Sequence, residues 1–297
     1  MKSYLGLVPI SAKVRKRQNR MTILCVIISI FLVTAIFSVA DMMIRTQSDR
    51  MTGKNGSWHI ELDGISQETA LKIAERDDVV SIGAVTIFNP DGELPYRMDG
   101  KRVVLYGIDE SYLTMNSTGA AEGRFPQGMG EIMLSSNAAR VLQVAVGDTV
   151  TLRTPSGDWD FTVSGLGGVE ESYYSGQYSL MDAYLPRTAF AALMEQNNVH
   201  NLQTSYYVQF TSASKAAKAI PELTAQHNLP ENAVSENTGV MAIAGHSDSS
   251  AAKNVYSLAA VLFVLVLLAG VLMISGSMNS NLAQRIQFFG MMRCIGM

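Results

Sequence analysis

Cysteine is nearly absent. Cys25 and Cys294 are the only two, one near each end of the chain. The long stretch between them has no cysteine to form a disulfide, so it must be held together by an ordinary apolar core. Metal-site patterns are missing as well. There is no CxxC and no HExxH, and His59, His200, His227 and His246 stand apart, each reading as a surface or capping residue. No GxxxxGK[ST] loop is present to cradle nucleotide phosphates. Gly128-Met129-Gly130 lacks the third glycine of a dinucleotide loop, and no Gly-x-Ser-x-Gly supplies a nucleophile. The expectation is a protein that is not an enzyme and holds no cofactor or metal of its own.

Charge is absent from two further stretches. Residues 21–40 carry none, and from Val255 onward the next charged residue is Arg285. A hydrocarbon core of roughly 30 Å is spanned by about 20 apolar helical residues, so both stretches are long enough to cross a membrane. The first run exceeds the 7–15 residues of a signal-peptide core, which favours an uncleaved helix. Acid is absent from both ends: no Asp or Glu precedes Asp41 or follows Asp248. Lys2, Lys13, Arg15, Lys16, Arg17 and Arg20 stand before the first run, and Arg285 and Arg293 follow the second. Basic residues concentrate on the cytoplasmic side, so both termini are expected in the cytoplasm of a bacterial cell and the middle outside its plasma membrane. All 26 acids and 15 of the 23 bases lie in that middle, an excess of eleven negative charges that argues against nucleic acid as a partner. No charged side chain inside either span proposes an ion relay. Ser29, Thr34, Ser38, Ser257, Ser275 and Ser277 read as helix-packing residues.

Local pattern predicts an α+β fold for the middle, with a mixed sheet and β-α-β units. The first membrane helix is expected to run on to Gly53 or Gly56. A strand at residues 58–62, a helix capped by Ser66 and a strand at 79–88 read as one β-α-β unit. A strand at 102–106 is followed by an expected loop after Asp109. Glu122-Gly123-Arg124-Phe125-Pro126 predicts a break in regular structure. Strands are expected at 131–134, 149–153 and 159–163, with Gly157-Asp158 at the last turn and Ser135 or Ser136 capping a helix between the first two. A strand at 181–185, a helix opened by Pro186, a strand at 205–210 and a helix at 213–227 containing Pro221 complete the pattern. Residues 170–178 form an acidic, tyrosine-rich loop. It reads as solvated, or, through Tyr173, Tyr174 and Tyr178, as a contact surface for an extracytoplasmic protein or peptide.

After the second run, Phe288, Phe289, Met291 and Met292 cluster between Arg285 and Arg293. On the residues alone two readings stand. One is an interfacial stretch on the lipid bilayer, and the other is a knob that docks in a groove on a soluble protein. The segment also resembles the cytoplasmic coupling helix of the FtsX/MacB-type (type VII) ABC transporter permeases. Arg285, Phe289, Gly290, Met292, Arg293, Ile295 and Gly296 fit that pattern, while Phe288 stands where Glu or Gln is usual. Residues 122–126, then Glu131-Ile132-Met133-Leu134-Ser135, then Val146-Gly147-Asp148-Thr149-Val150 are similar to a series in the family's MacB-like core, and the basic N-terminal stretch resembles its amphipathic elbow helix.

The resemblance implies the following layout: a cytoplasmic amphipathic helix at 1–20, a transmembrane helix at 21–42, an extracytoplasmic core domain at 43–254, a second transmembrane helix at 255–278 and a coupling helix at 279–297. It implies a permease subunit that pairs with a second permease copy and with a cytoplasmic ABC ATPase, which would bind the ATP. Arg285, Phe288, Phe289, Met291, Met292 and Arg293 would contact that ATPase. Export of a peptide, antibiotic or lipid-linked substrate, or transmission of force, would follow. Family members have at least four membrane helices, so the sequence reads as the N-terminal portion of a longer permease. The competing expectation is a two-span receptor with an external ligand-binding domain.

Overall fold

The computed structural model describes residues 16–116, 119–167, 180–243 and 251–294. The chain divides into two compact units, Met1–Thr46 with Ala251–Met297, and Gln47–Ser250.

Helix α1 spans Lys16–Asn55. It stops where Gly56 takes φ +83°, a left-handed conformation that costs glycine nothing. Strand β1 (Ile60–Asp63) follows, starting two residues later than the pattern suggested. Ser66 caps α2 (Gln67–Ala74) by accepting the Thr69 N–H, and β2 occupies Val79–Phe88 as expected. The short β3 (Arg97–Met98) turns through Asp99 and Gly100, both at positive φ, into β4 (Lys101–Ile108). The loop expected after Asp109 is instead a helix, α3 (Glu110–Met115). Asp109 nucleates it by accepting the Tyr112 N–H, while its other oxygen accepts the N–H of Ala84 on β2. The expected break at residues 122–126 begins only at Arg124, because β5 (Ala120–Gly123) pairs with a later strand.

Strand β6 (Glu131–Ser135) leads into α4 (Ser136–Leu142), capped by Ser135. Strands β7 (Thr149–Thr154) and β8 (Gly157–Gly167) form a hairpin. Its two-residue turn is Pro155-Ser156, and Gly157-Asp158, expected at the turn, already opens β8. Then come β9 (Leu180–Pro186), α5 (Arg187–Gln196), β10 (Thr204–Phe210) and α6 (Ala213–His227), which carries Pro221 inside. Strand β11 (Val234–Glu236), α7 (Thr238–Ile243) and α8 (Ala251–Cys294) complete the described chain.

The eleven described strands form one mixed sheet. At one end the order is β11-β1-β10-β2, all antiparallel. The expected β-α-β unit is therefore split, since β10 inserts between β1 and β2. In the same way β1 separates β10 from β11. Two interleaved β-α-β units of this kind make a ferredoxin-like layer. Helices α2 and α6 cover one face, burying Ala70, Ile73, Ala216, Ala219 and Leu223 against Ile60, Leu62 and Val208. Between β2 and β10 the chain makes an excursion whose strands β4, β3, β7, β8, β6 and β9 pair in succession, and β9 pairs back to β4. This ring encloses Val103, Leu105, Leu152, Phe161, Val163, Ile132, Leu134 and Ala183, with Phe190 and Leu193 of α5 packed on them. Gly107 lies under the Phe190 ring, and a Cβ there would overlap it.

In the other unit α1 and α8 pack through small residues. Ala40 and Ala259 are buried, and a Cβ at Gly270 would sit 3.2 Å from Ser29 Oγ. The rings of Phe37 and Phe263 meet at 5.7 Å. Such residues let helix backbones approach closely. Large apolar side chains point outward instead: Phe31 is 69% and Leu272 71% exposed, a pattern suited to lipid. Helix α8 continues without interruption through the segment expected as a separate coupling helix. No proline occurs in α8 to break its hydrogen-bond ladder.

Candidate transmission site

Within the domain unit, the segment leaving α1 is pinned to the segment that leads toward α8. Asn237 joins them. Its Nδ2 donates to the carbonyls of Asn55, Gly56 and Trp58, at 3.3, 3.5 and 2.9 Å. Its Oδ1 accepts the Val240 N–H at the start of α7, and its backbone N–H donates to His59. Asn237 is 3% exposed, so each of these bonds replaces a solvation that burial removed. Ser57 N–H donates to Met115 C=O, which ties the same joint to α3. The cap on α7 is local, but the partners of its Nδ2 lie about 180 positions away and leave no mark in the sequence.

His59 also belongs to this joint. The sequence placed it at the surface or at a cap, but it is buried, and its Nδ1 accepts the Phe210 N–H at 3.1 Å. Burial lowers its pKa. Just after Phe210, Ser212 caps α6 by accepting the Lys215 N–H.

The sheet face opposite α2 and α6 carries aromatic rings and carboxylates. Tyr207 donates to Glu61 Oε1 at 2.6 Å and lies edge-on to Trp58 and Tyr112, with centroids 4.8 and 5.1 Å apart. Ser205 donates to Asp63 beside it. Further along, the rings of Tyr106 and Tyr184 lie 5.0 Å apart and tilted by 31°, and Tyr106 donates to Asp182. Burial raises Asp182 to about 6, partly offset by that bond. Burial also raises Glu61, against the Tyr207 bond, and pushes Tyr112 up to about 12. Glu61 and Asp182 each accept a tyrosine hydroxyl, and Asp63 accepts the hydroxyl of Ser205. Among the described residues no three His, Cys, Asp or Glu side chains gather to hold a metal.

The signature residues near 122–150 are structural staples. Arg124 forks onto Glu131, with bonds of 2.9 and 2.5 Å, and Glu131 Oε2 also accepts the N–H groups of Gln127 and Gly128. The Arg124 guanidinium and these amides hold Glu131 down at about 2. Gly123 needs φ +72° to pass the Ser164 carbonyl, and Gly147 at φ +99° donates its N–H to Val163.

Arg285, Phe288, Phe289, Met291, Met292 and Arg293 occupy the last turns of α8. Of these, positions 285, 288, 289 and 292 follow the i, i+3, i+4, i+7 spacing that shares one side of a helix. Tyr173, Tyr174 and Tyr178 lie outside the described residues.

The MacB-like periplasmic core domain family matches residues 21–226, from the first apolar helix through most of α6. The chain belongs to that family. No curated protein matches it. Among solved structures, the MacB-like chain is similar to the periplasmic region of MacB from Actinobacillus actinomycetemcomitans. That match has 14% identity and a TM-score of 0.45, over 66% of this chain and 96% of the other. It is also similar to the extracellular domain of the noncanonic ABC-type transporter YknZ from Gram-positive bacteria. There the identity is 14% and the TM-score 0.42, over 60% of this chain and 98% of the other. The MacB-like domain here is the mixed α+β body, with a helix long and apolar enough to cross a membrane at each end.

Proposed function

We propose that this chain is a membrane permease subunit of an ABC transporter, with both termini in the cytoplasm of a bacterial cell. It couples ATP hydrolysis on a separate ATPase chain to movement of its extracytoplasmic domain. The observation that carries this reading is the family match across residues 21–226, in a chain whose domain lies between two membrane-length apolar helices. The chain works beside a second permease copy or half. Its ATPase-contacting surface is the side of α8 that bears Arg285, Phe288, Phe289 and Met292, with Met291 and Arg293 next to it.

The mechanics follow from two supporting features. Helix α8 runs unbroken from the membrane-length stretch through residues 285–293, so a displacement at its end is carried along a hydrogen-bonded rod. In the domain, Asn237 fastens the segment after α1 to the segment before α8, so neither can be pulled without the other. The chain's part in the cycle is therefore to receive force at one end and move a rigid body at the other. The cargo is a peptide, an antibiotic or a lipid-linked substrate, or else the movement itself is the output.

The test is co-purification with an ABC ATPase encoded beside this protein. Phe289→Asp and Met292→Asp should each reduce recovery of the ATPase several-fold while leaving the permease in the membrane. Recovery unchanged by both substitutions would remove the coupling role from this segment.

A further inference from the structure

The ring of six strands has a gap at one edge. Strand β7 pairs with β8 from Thr149 to Thr154, but on its other side β3 covers only Leu152 and Arg153. Val163 N–H donates to Asp148 C=O, and the two-residue turn makes Thr154 and Gly157 a bonded pair. Alternation then gives Val150 and Leu152 their bonds to β8. It directs the N–H and C=O groups of Thr149 and Thr151 to the far side, where no described strand lies. A groove of about 420 Å³ opens there, between the Asp99-Gly100 turn and the end of α4, with Met98, Leu142, Val144 and Val150 as its apolar wall.

Arg97 and Arg153 line this groove, and Arg102 continues their row one strand further on. Arg97 stands directly opposite Arg153 on β7 and directly opposite Arg102 on β4. Their neighbours Met98, Leu152 and Val103 point into the ring core, so the three guanidiniums are on its outside. Like charges directly opposite one another destabilise a sheet. Three in a row are out of keeping with a domain that carries an excess of acid. Arg153 reaches Asp158 only at 3.5 Å, and its side chain is 75% exposed. Arg97 donates to the carbonyls of Gly92, Leu94 and Tyr96, all through Nη1. Among the described residues no carboxylate lies within ion-pair distance of Arg97 or Arg102.

We propose that this gap is a docking site for an extended acidic peptide segment of an extracytoplasmic partner, which adds a strand to β7 alongside Thr149 and Thr151. The open backbone groups select an extended main chain. Side chains of the added strand alternate: one turned inward meets Met98, Val150 and Val144, and its outward neighbours come beside the arginine row. Carboxylates match guanidinium forks in charge and geometry. A lipid phosphate would satisfy the arginines but would leave the Thr149 and Thr151 groups and the apolar wall unused. The proposal does not depend on ATPase coupling.

The test uses the full chain in phosphatidylcholine nanodiscs and a fluorescein-labelled peptide, Ac-Glu-Val-Glu-Val-Glu-Val-amide, with its Lys-for-Glu counterpart as control. The acidic peptide should bind saturably and more weakly as salt rises, and the lysine peptide should not bind. Arg102→Glu and Arg153→Glu should each weaken the acidic peptide by about tenfold or more. Thr151→Pro removes an outward N–H without altering any charge, at an edge where proline is tolerated, and should weaken it comparably. N-methylation of the central valine of the probe should do the same on unaltered protein, which covers the case of a Thr151→Pro chain that fails to fold. No saturable binding of the acidic peptide, or equal binding of the lysine peptide, would overturn the proposal. Binding that survives both the proline and the N-methyl group would overturn strand addition.

Discussion

Buried polar groups are costly unless a partner replaces water, and Asn237 and Asp182 meet that condition to different degrees. Asn237 uses both ends of its amide. Asp182 has one tyrosine donor, and burial leaves its carboxyl at about 6 instead of 3.8. Between those two values the folded chain holds a proton that the unfolded chain has released. Stability therefore falls as pH rises from about 4 to 6 and stays lower above that. His59 acts in the opposite sense. Its folded pKa is lowered, so stability is lost as pH falls below the ordinary 6.5. Comparing Asp182→Asn with the unaltered chain isolates the first effect. The variant should melt at a higher temperature at pH 7.5, and the gap should shrink on acidification from pH 6 to pH 4. A variant that melts lower at pH 7.5 would mean that the ionised carboxylate is well solvated or paired. Neither residue was legible in the sequence as anything but one more Asn and one more Asp. Their roles come from neighbours on other strands.

At the scale of elements, the two long helices make the sharpest claim. Gly270 and Ser29 face each other where α8 and α1 cross, and a Cβ at Gly270 would stand 3.9 Å from Ser29 Cβ. That separation lies within the range a disulfide bridges. In a Cys25→Ser, Cys294→Ser background, Ser29→Cys with Gly270→Cys should cross-link within one chain on mild oxidation in membranes. A pair displaced by two turns, Ser29→Cys with Ser277→Cys, should not. Cross-linking of both pairs alike would show that the helices slide freely. Local signals served well for the elements they touch: Ser66 capping α2, Pro186 opening α5, and the bounds of α6 all emerged from caps and spacing. They failed at α3. There Asp109 reads as a turn residue, and only the Ala84 N–H on a neighbouring strand and the close fit of Tyr112 over Gly83 make it a helix start. They failed again at the β7–β8 turn, where Gly157 is already paired with Thr154 and Pro155-Ser156 makes the turn.

For the whole molecule, the distribution of charge makes a prediction about sidedness. With bases but no acids at both ends of the chain, the proposed topology puts Cys294 in the cytoplasm. In a Cys25→Ser background, Cys294 should react with a membrane-impermeant maleimide only after spheroplasts are opened. A cysteine placed at the exposed β7–β8 turn by Ser156→Cys, in a chain also lacking Cys294, should react in intact spheroplasts. The reverse pattern would invert the topology and place the domain in the cytoplasm. The same charge count makes the arginine row at Arg97, Arg102 and Arg153 unexpected. The three lie far apart in sequence and become one row only through the β7-β3-β4 register.

Hydropathy, charge and caps act over a few residues, so the sequence alone determined the two membrane-length helices, the acidic middle, most strand and helix positions, and the segment at the end of α8 proposed for coupling. Strand order, closure of the six-strand ring, the Asn237 joint and the open edge of β7 were decided by tertiary structure. Their contacts join residues as far apart as Glu61 with Tyr207 and Asn55 with Asn237, 146 and 182 positions away. Such pairs leave no periodicity in the chain, because what brings them together is the burial of apolar faces formed separately.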